Sequence, residues 1–175
     1  MRGSWDPGAV LAELARSGGD CGTPPMRIDR DGRWWHEGRP IVRPELVRLF
    51  ATALWRAADG RHWLLTPYER IPVEVEDTAF LVTGMSHEGE GRERTIWLRT
   101  NLGEEVVLDR DHPLRLRSRG DGAPVPVVVL DRGLEARVTR PVYYELAELA
   151  LADGHERGLG VWSRGSFFPL ADQEA

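Results

Sequence analysis

The chain has 175 residues, of which 41% are hydrophobic, with seven Trp residues and a formal net charge of −5 at pH 7. This suffices for one compact domain or two small ones with a real core, and it argues against a nucleic-acid polymer as partner. No apolar run is long enough to cross a bilayer and no signal pattern stands at the start, so the sequence predicts a soluble, cytoplasmic protein without a membrane partner.

Cysteine, lysine and histidine usage narrows the chemistry further. Cys21 is the single cysteine, which argues against a disulfide framework and a cysteine-built zinc site and suits a reducing compartment. All 23 basic residues are Arg, so a Schiff-base lysine and a phosphate-loop lysine are excluded. The five His residues are scattered without metal-ligand spacing, and we expect neither a metal nor a cofactor.

The first element predicted along the chain is a short outer helix. Asp6 has the character of an N-cap and Pro7 suits the first helical position. The apolar stripe of this helix consists of Val10, Leu11 and Leu14. The Gly- and Pro-rich stretch from Ser17 to Pro25 predicts a linker, so residues 1–25 are assigned to a helix and linker.

A hairpin and a helix follow in a first α+β half, placed at residues 26–83. Met26–Arg30 and Arg33–His36 predict two strands joined at Asp31-Gly32, which supplies the positive φ angles of a tight turn. Pro44 begins the best helix of the chain, and Asp59-Gly60 is predicted to end it. Its inward stripe is predicted to contain Leu46, Leu49, Phe50, Ala53 and Leu54.

From His62 onward the pattern is that of strands. These are predicted at His62–Thr66, Ile71–Glu76, Ala79–Met85, Glu93–Thr100, Glu104–Leu108 and Leu114–Arg117, with a tight connection at Asn101-Leu102-Gly103. Ser118–Pro126 predicts a Gly/Pro loop. The second α+β half, placed at residues 84–172, is completed by strands Val127–Leu130 and Leu134–Val138, a helix from Pro141 with Tyr143, Leu146, Leu149 and Ala150 inward, and a strand Gly160–Ser163.

The same local plan occurs twice in this order of elements. A strand, a tight turn at Asp31-Gly32 or Arg132-Gly133, a second strand and an Arg-Pro helix start recur in both halves. The sequence therefore predicts an internally duplicated α+β fold with mixed, mostly antiparallel sheet. The seam between the two copies is the predicted place for a ligand.

The two Arg-Pro helix starts also predict anion-binding corners. An exposed Arg beside a helix N-terminus opposes the macrodipole by up to about 1 kcal/mol, whereas an anion held between the Arg and free backbone N–H groups is doubly favoured. The alternative is that Arg43 and Arg140 pair with carboxylates such as Glu76, Asp77 or Glu145. The sequence leaves both interpretations open.

The segment from Asp109 to Pro113 is the one place where a general base can be argued. His112 could accept a proton while Asp111 or Asp109 orients it, as a hydrolase requires. The alternative, which we favour, is that Asp111 caps a turn and His112 bonds the neighbouring backbone.

Aromatic residues pose a choice between core and contact surface. Trp34 and Trp35 are adjacent on a predicted strand, so one of them must point outward. Stacking on a base is the functional interpretation and packing is the favoured one. Tyr143 and Tyr144 pose the same question at the second helix.

Several motifs occur in order between about residues 26 and 170. They are Asp31-Gly32-Arg33-Trp34, Glu37-Gly38-Arg39-Pro40-Ile41, Glu74-Val75-Glu76-Asp77, Thr100-Asn101-Leu102-Gly103, Asp111-His112-Pro113-Leu114, Tyr143-Tyr144-Glu145-Leu146 and Gly160-Val161-Trp162-Ser163. Together they resemble the signature of a bacterial family known as domain of unknown function 1285. The resemblance implies a duplicated two-part α+β fold, a C-terminal part loosely similar to a pleckstrin-homology barrel with a helix, and a cleft for a nucleotide-like ligand in signalling.

These observations lead to one functional hypothesis and two alternatives. We expect a non-catalytic small-ligand-binding module that senses a nucleotide-like or other phosphorylated anion in bacterial signalling. The alternatives are a hydrolase using His112 and Asp111, and an adaptor that binds a protein partner through exposed aromatics. The candidate ligand-binding residues are Trp34, Arg43, Glu76, Asp77, Asn101, Asp111, His112, Arg140, Tyr143, Tyr144 and Trp162.

Overall fold

The computed structural model describes residues 5–17, 23–119, 122–154 and 157–171. In this part of the chain, three helices and fourteen strands form a mixed α+β fold with two similar halves, as the sequence predicts. The chain divides into two compact units. Unit 1 comprises Met1–Ala79 with Arg132–Leu134, and unit 2 comprises Phe80–Asp131 with Glu135–Ala175.

Unit 1 begins with helix α1 (Pro7–Ser17). The Oδ1 atom of Asp6 accepts hydrogen bonds from the N–H groups of Gly8 at 2.9 Å and Ala9 at 3.3 Å, which satisfies two donors of the first turn. The apolar stripe of the helix packs on a cluster of three buried residues, Ala57, Trp63 and Leu65. The residues of the helix in this contact are Val10, Leu11, Leu14 and Ala15. The predicted outer helix and its cap are confirmed.

A six-stranded sheet and helix α2 (Pro44–Ala53) complete unit 1. The strands are β1 (Met26–Ile28), β2 (Trp34–His36), β3 (Arg39–Pro40), β4 (Leu54–Arg56), β5 (His62–Leu65) and β6 (Arg70–Val75). Their order across the sheet is β3-β2-β1-β6-β5-β4, and β1 and β6 run parallel. The predicted hairpin is confirmed, although of its two turn residues Gly32 alone has a positive φ.

Helix α2 begins at Pro44 as predicted but ends much earlier than expected. Its last residue is Ala53, and the chain at Leu54 is already extended. Leu54 lies opposite Leu64 of β5, so pairing with the sheet replaces the last predicted turns of helix. Asp59-Gly60, predicted to end the helix, instead lies in the connection between β4 and β5.

The buried side of α2 also differs from the predicted one. Val47 and Ala51 are its buried residues, whereas Leu49 of the predicted inward stripe is 63% exposed. Phe50 of the predicted stripe does face the core, where its ring stacks on Trp34. The inward side of the helix therefore combines Phe50 with the shorter Val47 and Ala51.

Unit 2 is built on a second six-stranded sheet. Its strands are β7 (Phe80–Glu88), β8 (Thr95–Thr100), β9 (Glu105–Val107), β10 (Leu114–Arg119), β11 (Gly122–Val129) and β12 (Glu135–Val138). Their order is β10-β11-β12-β7-β8-β9, with β12 parallel to β7. Helix α3 (Arg140–Asp153) follows, and then a two-stranded sheet of β13 (Gly160–Ser163) and β14 (Ser166–Pro169).

The segment predicted as a Gly/Pro loop is mostly strand. β11 begins at Gly122 and contains Pro124 and Pro126. Proline lacks the N–H group that a strand with two neighbours needs. β11 pairs with β12 over Val127–Val129 and with β10 at Gly122 and Val125–Val128, so the side of β11 toward β12 needs no donor at the prolines.

The second predicted helix is confirmed as α3, but its buried face is rotated slightly from the predicted one. Its buried residues are Val142, Leu146 and Ala150, while Tyr143 and Leu149 are half-buried. The helix therefore turns its Val142 side inward, with the predicted Leu146 and Ala150 at its centre.

The repeated strand–turn–strand–helix plan is visible in both halves. β1, β2 and α2 follow this order in the first half, and β11, β12 and α3 follow it in the second. Gly32 and Gly133 occupy equivalent turns with φ values of 78° and 72°. Both turns need a positive φ, which glycine adopts without steric cost.

Parts of the sequence discussed above lie outside the described residues. They are Cys21 with most of the predicted linker, residues 120 and 121 of the predicted Gly/Pro loop, and one of the five histidines, His155. Among the helices that are described, none has the length and apolar character needed to cross a membrane.

Candidate functional site

A cleft of about 450 Å³ lies at the start of α2 in unit 1. Four ionisable side chains line it, those of His36, Glu37, Arg39 and Arg43. The rest of the lining comes from Pro40, Ile41, Val42 and Leu46. We call this the Arg43 cleft.

Local backbone geometry brings the two arginines to this cleft. Glu37 and Gly38, with φ values of 47° and 77°, reverse the chain between β2 and β3, which places Arg39 opposite His36. The N–H group of Ile41 then donates to the carbonyl oxygen of Trp34 at 2.8 Å. This bond directs the chain into α2, where Arg43 is the N-cap residue.

The Arg43 cleft combines two guanidinium groups with an open helix N-terminus. Arg43 makes no side-chain hydrogen bond to the first turn of α2, so donors there remain available. Among the described residues, neither Arg39 nor Arg43 has a carboxylate partner. Glu76, a predicted alternative partner, instead pairs with Arg27 and accepts a bond from the N–H group of Arg30.

Trp34, a candidate ligand contact, is part of the core of unit 1. It is 2% exposed, and its ring stacks on Phe50 with centroids 6.3 Å apart. Trp35 is the outward member of the pair, and its Nε1 donates to the Oδ2 atom of Asp29 at 2.9 Å. The predicted alternation is confirmed, with packing as the role of Trp34. Asp77, the other candidate in this unit, is half-buried directly after Glu76.

Asp29 closes the turn between β1 and β2. Burial by itself would raise the pKa of its carboxyl group. Hydrogen bonds from the backbone N–H of Arg33, the indole of Trp35 and the backbone N–H of Asp31 outweigh this and hold the pKa below the usual value. Asp29 therefore stays charged and fixes the hairpin that leads to the Arg43 cleft.

Arg140 opens α3 in unit 2, as Arg43 opens α2 in unit 1. Its side chain is exposed, and no carboxylate among the described residues pairs with it. Thr139, the N-cap residue, points its hydroxyl at the carbonyl oxygen of Val82 at 2.8 Å and so does not cap the helix. The two helix starts are thus alike in having an uncapped first turn beside an exposed Arg.

Asn101 has a structural role in its turn. Its Oδ1 atom accepts a hydrogen bond from the N–H group of Leu81 at 3.0 Å, and its own N–H group donates to the carbonyl oxygen of Leu81 at 2.9 Å. The residue therefore joins the β8–β9 turn to β7.

His112 lies beside two carboxylates, neither of which is Asp111. Its Nδ1 atom is 3.7 Å from an oxygen of Asp109, and its Nε2 atom is 3.5 Å from an oxygen of Asp131. Asp109 also accepts hydrogen bonds from the backbone N–H groups of Asp111 and His112, both at 2.9 Å. The cap of this turn is therefore Asp109, while the Asp111 side chain is exposed.

The adjacent tyrosines divide between packing and surface. The hydroxyl of Tyr143 donates to the carbonyl oxygen of Leu170 at 3.1 Å, which ties α3 to the end of β14. Tyr144 is 62% exposed and touches Tyr143 edge-on, with ring centroids 6.3 Å apart. Of the two, Tyr144 presents the accessible ring.

A second cleft, of about 210 Å³, surrounds Trp162 in unit 2. The guanidinium carbon of Arg92 lies 4.6 Å from the centroid of the Trp162 ring, and that of Arg157 lies 5.5 Å from it. The other lining residues of this Trp162 cleft are Asp153, Gly154, Gly160 and Phe167. Of the residues that line this cleft, the sequence indicates Trp162 alone as a ligand contact.

Nothing in the order of residues signals that Arg92 meets Trp162. The two are brought together because the N–H groups of Arg164 and Gly165 donate to the carbonyl oxygens of Arg94 and Arg92, at 2.8 and 3.1 Å. A contact that depends on such long-range pairing leaves no local pattern. For metal binding, the described His, Cys, Asp and Glu residues include no group of three placed to hold an ion.

Comparison with known proteins agrees with this two-part description. Residues 17–78 match the family described as "Domain of unknown function (DUF1285), N-terminal domain", and residues 79–170 match "Protein of unknown function (DUF1285), C-terminal domain". The chain belongs to the DUF1285 family. No curated protein matches it.

Two solved structures of DUF1285 proteins are similar to this chain. The one from Silicibacter pomeroyi DSS-3 is 35% identical, covers 92% of this chain and 94% of its own, and superposes with a TM-score of 0.76. The one from Shewanella baltica OS155 is 24% identical, covers 75% of this chain and 97% of its own, and has a TM-score of 0.58. The second supports the fold alone.

Proposed function

We propose that this DUF1285 protein is a non-catalytic module that binds a small phosphorylated or nucleotide-like anion in the Arg43 cleft. A sensing role in bacterial signalling is the context that the family resemblance suggests. The proposal is supported by one observation above all. Two arginines without a described carboxylate partner, Arg39 and Arg43, flank an uncapped helix N-terminus.

The chemistry of the cleft favours an oxyanion. Guanidinium groups donate paired N–H bonds that match phosphate geometry, and a helix N-terminus adds backbone donors and a partial positive charge. An exposed Arg at the N-cap is unfavourable by itself, and a bound anion converts it into a favourable arrangement. The volume of about 450 Å³ lies within the range of clefts that hold small molecules.

The lining also favours binding over catalysis. It contains no Ser, Cys or Thr that could act as a nucleophile, and its titratable groups are His36 and Glu37 beside the two arginines. Pro40, Ile41 and Val42 give the cleft an apolar wall. Such a wall suits the sugar or base of a nucleotide-like ligand.

The test is calorimetric titration of the purified protein with pyrophosphate, AMP and ADP. Replacing Arg43 or Arg39 by Gln removes a charge-assisted hydrogen bond and should weaken binding about tenfold to a hundredfold. Arg33→Gln is the matched control, because it removes the same charge from an exposed position of unit 1 outside the lining. Added salt should weaken binding as well.

Two results would contradict the proposal. One is the absence of saturable binding by any of the phosphorylated probes. The other is an equal loss of affinity in Arg33→Gln and Arg43→Gln, which would indicate attraction by overall charge. The hypothesis that Arg43 and Arg140 share one ligand stays a prediction, and the double variant with Arg140→Gln tests it through a departure from additivity.

A further inference from the structure

We infer that the Trp162 cleft of unit 2 is a second, separate anion site, which takes a small oxyanion such as inorganic phosphate or a short dicarboxylate through the guanidinium group of Arg92. The Arg43 cleft has no part in this inference. It rests on the way the Trp162 ring holds Arg92, on the state of the neighbouring carboxylate, and on the size of the cleft.

The ring of Trp162 positions Arg92 without using its hydrogen-bond donors. With the guanidinium carbon 4.6 Å from the ring centroid, the contact is a cation–π interaction. The five N–H bonds of a guanidinium group lie in its own plane and need acceptors beyond that contact. No acceptor for the Arg92 side chain is found among the described residues. Arg92 is exposed, so the Trp162 ring holds its guanidinium group while the donors face solvent, where an anion can replace water.

The carboxylate in the cleft does not compete for Arg92. Both oxygens of Asp153 accept from Arg94, with Nη1–Oδ2 and Nη2–Oδ1 distances of 2.5 and 2.8 Å. Arg94 is buried, and its positive charge neutralises the carboxylate of Asp153. Arg157, on the same Trp162 ring, brings a further guanidinium group to the lining.

The size of the cleft suits a small anion. Its volume of about 210 Å³ has room for a phosphate ion or a short dicarboxylate. Gly160 lets β14 pack closely on this side of the cleft, since a Cβ atom at this position would lie 2.4 Å from the Phe167 ring.

The experiment is a titration of the full chain, labelled with ¹⁵N, followed by nuclear magnetic resonance. Inorganic phosphate and succinate are the two probes. Binding should shift the Nε–H signal of Arg92 and the indole N–H signal of Trp162 in a saturable way, with Trp162→Phe used to assign the indole. Both probes carry oxyanion groups. The probe with the higher affinity shows whether the cleft prefers a tetrahedral phosphate or a dicarboxylate.

Matched variants separate this site from general charge attraction. Arg92→Gln should weaken binding about tenfold to a hundredfold, and Arg92→Lys should fall between it and the unchanged protein because the ammonium group lacks the planar pair of donors. Arg115→Gln, which removes an exposed Arg of β10 outside the cleft, should leave the affinity unchanged.

The inference is overturned by either of two outcomes. The first is that neither probe shifts the Arg92 and Trp162 signals saturably in the unchanged protein. The second is that Arg115→Gln lowers the affinity as much as Arg92→Gln, since the loss would then follow net charge. Because the titration is read at Arg92 and Trp162, its failure is distinct from a failure of binding in the Arg43 cleft.

Discussion

Arg94 and Asp153 hold each other through two parallel hydrogen bonds, of 2.5 and 2.8 Å, between the residue before β8 and the last residue of α3. Their side chains are 5% and 13% exposed. A buried ion pair of this kind recovers the cost of desolvation only while both partners are present. Either residue without the other would leave an unpaired charge in a buried position.

We predict that removing one member of this pair is costly and that removing both is much less so. Arg94→Met or Asp153→Leu should each lower the free energy of unfolding by about 3–5 kcal/mol, because a buried charge is left unpaired. The double variant should lose clearly less than the sum of the two. Urea denaturation of the four proteins measures this. Additive losses would show that the residues act independently.

A second prediction concerns His62 on β5 and the stability of the protein in mild acid. Burial, with a smaller contribution from the nearby charge of Arg56, lowers the pKa of His62 from 6.5 to about 4. The unfolded chain takes up a proton near pH 6.5 that the folded chain accepts only near pH 4. The contribution of neutral His62 to the free energy of unfolding is therefore fully present above pH 6.5. It falls by up to about 3 kcal/mol as the pH drops to 4.

The check is the free energy of unfolding as a function of pH in His62→Gln. This variant should lose stability less steeply between pH 6.5 and 4 than the unchanged protein. His87→Gln, which removes an exposed histidine, should keep the original slope. If the slope in His62→Gln equals that of the unchanged protein, His62 is not buried in its neutral form.

The third prediction separates the two acids around His112. Asp109→Ala removes the acceptor of two backbone hydrogen bonds and should cost about 1–2 kcal/mol. Asp111→Ala changes an exposed side chain and should stay within about 0.5 kcal/mol. Thermal melting of both variants measures the difference. Equal losses would return the capping role to Asp111.

The fourth prediction is that His112 is structural. His112→Ala should lower stability by about 1 kcal/mol through its lost contacts with Asp109 and Asp131. No turnover is expected when generic esterase, phosphatase and phosphodiesterase substrates are screened. Robust turnover that disappears in His112→Ala at an unchanged melting temperature would support the hydrolase alternative.

The sequence predicted most of the elements where local chemistry decides the structure. Asp6-Pro7 and Pro44 mark helix starts, and Gly32 and Gly133 mark turns, because capping and positive φ angles depend on a few adjacent atoms. The predicted end of α2 is wrong. The apolar helical pattern continues through Leu54 without a helix-breaking residue, but Leu54 pairs with β5 instead. Propensity gives way there to tertiary contact.

The candidate sites were predictable to a smaller extent. Arg43 was identified because its position before Pro44 is a local signal. Arg39 has no such local signal, since its place in the cleft depends on the Glu37-Gly38 turn. The sequence predicts Trp162 as a contact but not the cleft around it, because residues 92 and 162 meet through pairing between distant segments.

Pro124 and Pro126 have a consequence for the behaviour of β11 in a crowded solution. Along this stretch β11 pairs with β10 on one side, and β12 ends its pairing at Val127. An unpaired strand side normally offers N–H groups to which a strand of another molecule can add, as in aggregation or domain exchange. The two prolines remove donors at these positions, so the residues that gave the segment the look of a loop also make it a poor template for self-association.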